Sequence, residues 1–381
     1  MPFPPFPSVP SPATWVNGPV LTSSLRNDVT NAVNFLSQRP LFVGQMTTGA
    51  STGSGTDAPM ALTGELVDTW NGHNTASGNW QTYYCQFPGW YLCQSFTPFA
   101  YTTATQILFS AGMIAKTGGV TQTVVRGQLQ LMGSGKHPGP KCCDLIQMSA
   151  TGPIGGGGDS VTPTALQISG STLSYLATPA SLLPFFSVRW VAALSGTAGL
   201  PVPVNASWPV PTAYITPAFL NTNIRDTINF LAYPPVCKAY YVAGSSSLPN
   251  QAFPNGTVVP LNTVMVDNYG GFTTGGSGGY TAPVAGVYFL AAQVNYASYN
   301  SAGGVAYSAG LSVNGGTIQW GDSVFQSGAQ TTGAGACVRR RLRLNAGDYV
   351  QFYGQQSTGG SLNLNATGSN QTRFIALWEG S

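Results

Sequence analysis

The sequence predicts a mainly β protein built as two tandem antiparallel sandwiches, each preceded by an extended arm and a short α-helix. Three observations predict it: a composition poor in helix formers, an internal duplication, and short alternating runs set between Gly, Asn and Ser clusters. Only 7% of the 381 residues are charged, against roughly 25% in an ordinary soluble domain. Gly (48) and Pro (28) are abundant. Coiled coils and long helical bundles are thereby excluded, because they draw on Ala, Glu, Lys, Leu and Arg. The glycines have no three-residue period, which excludes collagen. With 17 Tyr, 18 Phe and 8 Trp, the chain has the apolar bulk for packed cores rather than charged disorder. A net charge of +3, thinly spread, gives no basis for a nucleic-acid surface.

Residues 1–20 read as a Pro-rich extended arm, stiff enough to reach a neighbour. The opening lacks the basic and apolar regions of a secretory signal, and the apolar stretch 175–194 is broken by Pro179, Pro184 and Arg189. A chain that is neither exported by its own sequence nor inserted in a membrane is expected. The first helix is expected over 21–40, where Leu21, Leu25, Val29, Val33 and Leu36 recur at helical spacing. Thr22 or Ser23 would cap it, and Pro40 stops it.

The arm and helix then recur. Residues 14–40 return at 213–235 four residues shorter, close to one helical turn, so Leu220, Ile224, Ile228 and Leu231 still share a face. The division that follows is a sandwich over 41–195, a linker over 196–219, a helix over 220–235 and a second sandwich over 236–381. Asp68-Thr-Trp-Asn-Gly72 parallels Asp267-Asn-Tyr-Gly-Gly271, and the run Tyr83–Leu92 parallels Tyr280–Phe289. The closing segments align Val188-Arg-Trp-Val-Ala192 with Thr372-Arg-Phe-Ile-Ala376. Residues 133–165 read as a long Gly/Pro-rich insertion in the first copy, ending in Gly155–Gly158; a loop of that length is usually functional or mobile. Asn314-Gly315 marks a tight hairpin. Strand signals recurring at about 8–12-residue spacing argue for an antiparallel sandwich. In Cys337–Leu344, Val338, Leu342 and Leu344 alternate with Arg339, Arg341 and Arg343, and only Arg340 breaks the apolar face.

Three segments of the second copy carry a family pattern: Tyr280-Thr-Ala-Pro-Val-Ala-Gly-Val-Tyr-Phe289, Leu344-Asn-Ala-Gly-Asp-Tyr-Val350 and Arg373-Phe-Ile-Ala-Leu-Trp378. They resemble the tumour necrosis factor-like jelly roll, and more closely its complement globular-head branch, over about residues 236–381. That resemblance makes Tyr280, Gly286, Tyr288, Gly347, Asp348, Val350 and Phe374 the core motif of a jelly roll. The first copy retains Pro88-Gly-Trp-Tyr91 but is assigned no Gly-Asp-x-Val element, so its own jelly roll rests on the duplication.

The pattern Trp15-x-x-Gly18-x-x-Leu21, with Leu25-Arg26 and Phe35-Leu36, is similar to the N-terminal parts of minor tail proteins of actinobacterial siphophages. Together the resemblances imply a homotrimeric virion protein of a tailed phage, placed in the tail, baseplate or a fibre and assembled in the bacterial cytoplasm. A capsid decoration protein at three-fold positions is the alternative. Both helices then serve subunit contact or docking on other virion proteins. Contact with a host-surface glycan would fall to loops near Trp70, Trp80, Tyr296 and Tyr299, whose rings give stacking area at low entropy cost.

No catalytic residue, cofactor or metal is expected. Only His73 and His137 exist, and the adjacent Cys142 and Cys143 near His137 cannot both comfortably ligate one tetrahedral ion. Cys85 and Cys93 flank Phe87-Pro-Gly-Trp90; a bridge and a reduced buried pair both stay open, reduced being the default in a cytoplasm. Asp226, Asp267 and Asp348 sit at turns or a helix start rather than as a facing pair for glycoside hydrolysis. The run Arg339–Arg343 alternates across a strand, so pairing with acids such as Asp322 or Asp348 competes with binding of an anionic polymer.

Overall fold

The computed structural model of the chain describes residues 23–47, 50–73, 81–100, 107–117, 120–132, 139–149, 151, 158–168, 172–176, 183–196, 217–242, 247–249, 255–276, 278–296, 305–326, 335–366 and 371–381. The arm, Leu21, Trp80, His137 and Tyr299 lie outside the described residues.

After helix α1 (Ser23–Ser37), the first sandwich runs β1 (Leu41–Gln45), β2 (Gly64–Asp68), β3 (Tyr83–Tyr84), β4 (Gly89–Phe96), β5 (Ile107–Thr117), β6 (Val120–Met132), β7 (Lys141–Met148), β8 (Ser160–Ile168) and β9 (Phe185–Ala192). One sheet has the order β2-β1-β9-β4-β7; the facing sheet has β8-β5-β6, with β3 and Ala58–Pro59 on β8. The second sandwich runs β10 (Val236–Tyr240), β11 (Thr263–Asp267), β12 (Gly279–Thr281), β13 (Gly286–Asn295), β14 (Val305–Val313), β15 (Gly335–Leu344), β16 (Tyr349–Gln356) and β17 (Arg373–Gly380). Its sheets have the orders β11-β10-β17-β13-β15 and β12-β16-β14. The pairings are antiparallel, and the crossed strand order is that of a jelly roll in both copies. The protein is therefore mainly β, with two tandem sandwiches.

Equivalent residues make equivalent bonds, which shows the duplication at atomic detail. The Asp68 carboxylate accepts from the His73 amide at 2.8 Å, and the Asp267 carboxylate from the Phe272 amide at 2.7 Å, each closing the turn after an edge strand. Tyr91 Oη donates to the Phe87 carbonyl at 2.5 Å and Tyr288 Oη to that of Val284 at 2.8 Å. Trp190 Nε1 donates to the Pro88 carbonyl and Trp378 Nε1 to that of Ala285. Each indole lies so close to the start of the neighbouring strand that a Cβ on Gly89 or Gly286 would come within 2.0 or 2.2 Å of its Nε1. Only glycine fits there. In the second core Tyr280, Tyr288, Val350 and Phe374 are buried. Gly347 turns at φ +90°, and Asp348 beside it accepts from Asn314 Nδ2 and the Asn345 amide, which hold its carboxyl below the usual range.

Three readings of the sequence are corrected. The segment 133–165 is no insertion: it contains β7 and the first half of β8. A Gly-Asp-x-Val element does exist in the first copy, as Gly158-Asp-Ser-Val161. The Asp159 carbonyl accepts from the Cys85 amide at 2.8 Å, as the Asp348 carbonyl accepts from the Ala282 amide at 2.8 Å. The closing strands also align differently. Trp190 pairs with Tyr91 and Trp378 with Tyr288, so Trp190 is the counterpart of Trp378, and Phe186 that of Phe374.

The helices differ from expectation in the face they bury. The second is a helical segment over 217–232 with a π-turn at Asn221–Arg225. Phe35 meets Trp190 edge-on at 5.1 Å and Phe230 meets Trp378 at 4.9 Å. This contact rotates Ala32 and Phe35, and Ile228, Phe230 and Ala232, into the interior. Val33 is left 49% exposed, while Val29, Leu36, Ile224 and Leu231 are half-buried; the Leu25 side chain lies outside the described residues. Replacing Trp190 or Trp378 by Ala is expected to lower stability by about 3–5 kcal/mol, read as a fall in the urea midpoint at unchanged slope.

Candidate functional site: the seam between the sandwiches

Successive side chains on a strand point to opposite sides. On β4, Tyr91 and Cys93 enter the first core while Trp90 and Leu92 point outward, yet all four are buried. The same holds on β13, where Tyr288 and Leu290 face the core and Phe289 and Ala291 face out. The two outward faces account for it, because they cover one another. Trp90, Leu92, Cys143, Leu145 and Val191 pack in one buried cluster with Val236, Phe289, Ala291, Ile375 and Leu377 of the other sandwich.

A buried ionic group locks this seam. The Asp144 carboxylate of β7 lies 2.7 Å from Lys238 Nζ of β10 and 3.8 Å from Arg373 Nε of β17. Their side chains are 3%, 11% and 5% exposed. Lys238 Nζ also donates to the Leu145 carbonyl at 2.9 Å, and Arg373 donates to the Arg126 carbonyl of β6 at 3.1 Å and to Gln293 Oε1 at 2.8 Å. Toward the helices, Glu379 is held by Arg189 at 2.6 Å and Arg341 at 2.7 Å. Burial alone would raise its pKa, but the bonds from Arg341 and Arg189 hold the carboxyl below its usual range. Arg39 lies over the Trp190 ring at 5.6 Å and donates to the Leu231 carbonyl at 3.1 Å. Burial, and then Arg189, push it down to about 10. Two clefts open on the seam. One of about 530 Å³ is lined by Arg39, Leu41, Arg189, Trp378 and Glu379. The other, about 460 Å³, is lined by Phe96, Phe185, Lys141, Asp322, Arg339 and Arg340.

The residues singled out in sequence fall elsewhere. Trp70 packs against Phe35 and Phe87, and its indole donates to the Gln38 carbonyl. Tyr296 is fully buried in the second core and donates to the Gln355 carbonyl. Neither is a tip residue, because each ring completes a core. The arginine run is not one patch: Arg340 donates to the Trp320 carbonyl, Arg341 pairs with Glu379, and Arg343 is exposed. Asp322 pairs instead with Lys141 at 3.1 Å, and Asp348 with Asn314. All six cysteines are free and buried, Cys85 and Cys93 included. Burial pushes Cys85 and Cys142 up to about 12, which suppresses the thiolate. Among the described residues, no group of three His, Cys, Asp or Glu is placed to hold a metal ion, and no helix is long and apolar enough to cross a membrane. The seam itself escaped sequence reasoning. Its one available signal was Asp144, a lone acid in a strand that otherwise reads as apolar.

Replacing Lys238 by Met leaves Asp144 buried without its nearest cation and is expected to destabilise the protein by about 3–5 kcal/mol; Asp144→Asn with Lys238→Met should recover part of that loss in urea titrations. Glu379 contributes fully above the unfolded carboxylate value of about 4.3. Its contribution fades as pH falls through its lower folded value. The stability gap between wild type and Glu379→Gln should therefore be widest near neutrality and close in acid, as followed by thermal melts.

No family model matches the chain, and no curated protein does. Solved structures similar to it include the globular domain of zebrafish complement 1qA, at 16% identity over 39% of this chain and 99% of that one, with a TM-score of 0.28. The Eiger TNF of S. frugiperda follows at 14% identity, 39% and 95% coverage and a TM-score of 0.28. Murine APRIL is similar at 12% identity, 38% and 98% coverage and a TM-score of 0.27. Scores this low carry no argument about function; the jelly-roll fold stands on the strand order and the repeated bonds.

Proposed function

We propose that the chain is a structural, non-catalytic virion protein of a tailed bacteriophage, acting as a homotrimer in the tail, baseplate or a fibre. The seam is the observation that carries this reading, because both sandwiches commit a sheet face, and the buried charges of Asp144, Lys238 and Arg373, to packing of one sandwich on another. Low charge with abundant aromatics suits such contacts. The edge strands β2 and β11 expose Leu66 and Met265 at equivalent positions, with Val67 and Val264 exposed beside them. Unpaired apolar edges of this kind are what neighbouring subunits cover. The resemblance of the arm and first helix to siphophage minor tail proteins supplies the virion setting, with other virion proteins as further partners. Trp70 and Tyr296 are packed into the cores and are not offered to a host glycan.

Light scattering on the eluting protein should give a mass of three chains; a single-chain mass at micromolar concentration contradicts the reading. Deleting residues 1–13 should abolish incorporation into tails. Normal tails on unstable heads would instead assign the protein to capsid decoration.

A further inference from the structure

The seam cleft of about 460 Å³ holds more positive charge than the chain neutralises. Phe96, Lys141 and Phe185 line it from the first sandwich, and Asp322, Arg339 and Arg340 from the second. Asp322 holds Lys141 at 3.1 Å. Arg340 donates to the Trp320 and Arg339 carbonyls, and Arg339 Nε is buried with no hydrogen-bond partner among the described residues. Neither guanidinium is in an ion pair there. The sequence has no carboxylate in reserve: all 11 of its acids fall among the described residues, and Asp322 is the one that reaches the cleft. Cations held partly out of water without a counter-charge are costly, and an unsatisfied buried donor calls for an explanation.

The jelly roll itself does not require these arginines. Across the sheet, Leu290 pairs with Arg340 and Ala291 with Arg339, while in the first copy Cys93 pairs with Asp144 and Gln94 with Cys143. Because Tyr91 and Tyr288 are counterparts, an acid stands in the place of Arg340 and a thiol in that of Arg339. The two cations therefore answer to the cleft and not to the fold. The first sandwich gives the cleft an apolar wall, where the Phe96 and Phe185 rings lie 5.8 Å apart and Phe185 is 37% exposed.

We propose that this cleft binds a small aromatic anion, a carboxylate or phosphate carried on a flat apolar ring, with its head group on Arg339 and Arg340 and its ring against Phe96 and Phe185. A guanidinium presents a planar fork of donors that matches the oxygens of either head group. Aromatic rings of ligand and wall pack in offset or edge-on geometry. The volume falls in the range of roughly 300–1,000 Å³ that takes small ligands. Because the walls come from both sandwiches, the bound anion bridges the seam and stabilises the folded chain by mass action. The proposal does not depend on the oligomeric state.

The test titrates the full chain with phenyl phosphate and with benzoate, using inorganic phosphate and benzyl alcohol as head group and ring alone. Binding is followed by saturation-transfer NMR and by the rise in melting temperature. At least one aromatic anion should bind saturably at millimolar concentration, about tenfold tighter than inorganic phosphate, and benzyl alcohol should not bind. Arg339→Gln should weaken that binding about tenfold, and Phe185→Ala should remove the advantage of the ring. Arg343→Gln, exposed on the same strand outside the cleft, should change nothing. A second measurement needs no variant: phenylglyoxal modification of Arg339 and Arg340, mapped by mass spectrometry, should slow in the presence of phenyl phosphate while that of Arg343 does not. No saturable binding of either aromatic anion overturns the proposal. So does binding that Arg339→Gln leaves unchanged, or protection as strong at Arg343 as in the cleft.

Discussion

A carboxylate removed from water needs positive charge close by, and Asp144 finds it only on the other sandwich, at Lys238 and Arg373. The relative placement of the halves depends on that pairing. Apolar packing by Trp90, Leu92, Phe289 and Leu377 supplies the area of the seam, but such contact is non-directional and would tolerate a slide or a rotation. The ion pair, with Lys238 and Arg373 also reaching the Leu145 and Arg126 carbonyls, would not. A buried pair of this kind is weak evidence for added stability and better understood as a device that selects one arrangement.

The duplication shows which parts of a sandwich are constrained by its own fold. Bonds that close turns and satisfy buried groups recur in kind: Asp68 and Asp267 at the turn, Tyr91 and Tyr288 on a carbonyl four residues back, Trp190 and Trp378 over a glycine. Positions at the sheet edge and on the face that receives it differ between the copies, Asp144 against Arg340 and Val43 against Lys238. Inside, each copy must solve the same packing and hydrogen-bonding problem. Outside, each must only suit whatever covers it.

Sequence patterning was most legible where chemistry is local. The Pro-stopped helices, the Asn-Gly turn and the Tyr280–Phe289 motif are short-range features. The first copy hid its Gly158-Asp-Ser-Val161 element behind a run of glycines, which reads as loop whether or not a strand follows. The closing strands were misaligned because Arg-Trp and Arg-Phe look alike, and only the pairing with Tyr91 and Tyr288 tells Trp190 from the counterpart of Phe374. Trp70 and Tyr296 looked like tip aromatics since composition does not distinguish a ring that stacks on a ligand from one that closes a core.

The sequence by itself determined the class of the protein: two copies of a helix and an antiparallel sandwich, poor in charge and rich in aromatic bulk. Hydrophobic period, turn residues and repetition are properties of contiguous residues, so they can be read along the chain. Tertiary structure alone decided which strand faces meet, which helical face is buried under each tryptophan, and that Asp144 and Lys238 are partners. Those contacts join residues far apart in sequence, and their energies depend on burial and geometry that no local pattern carries.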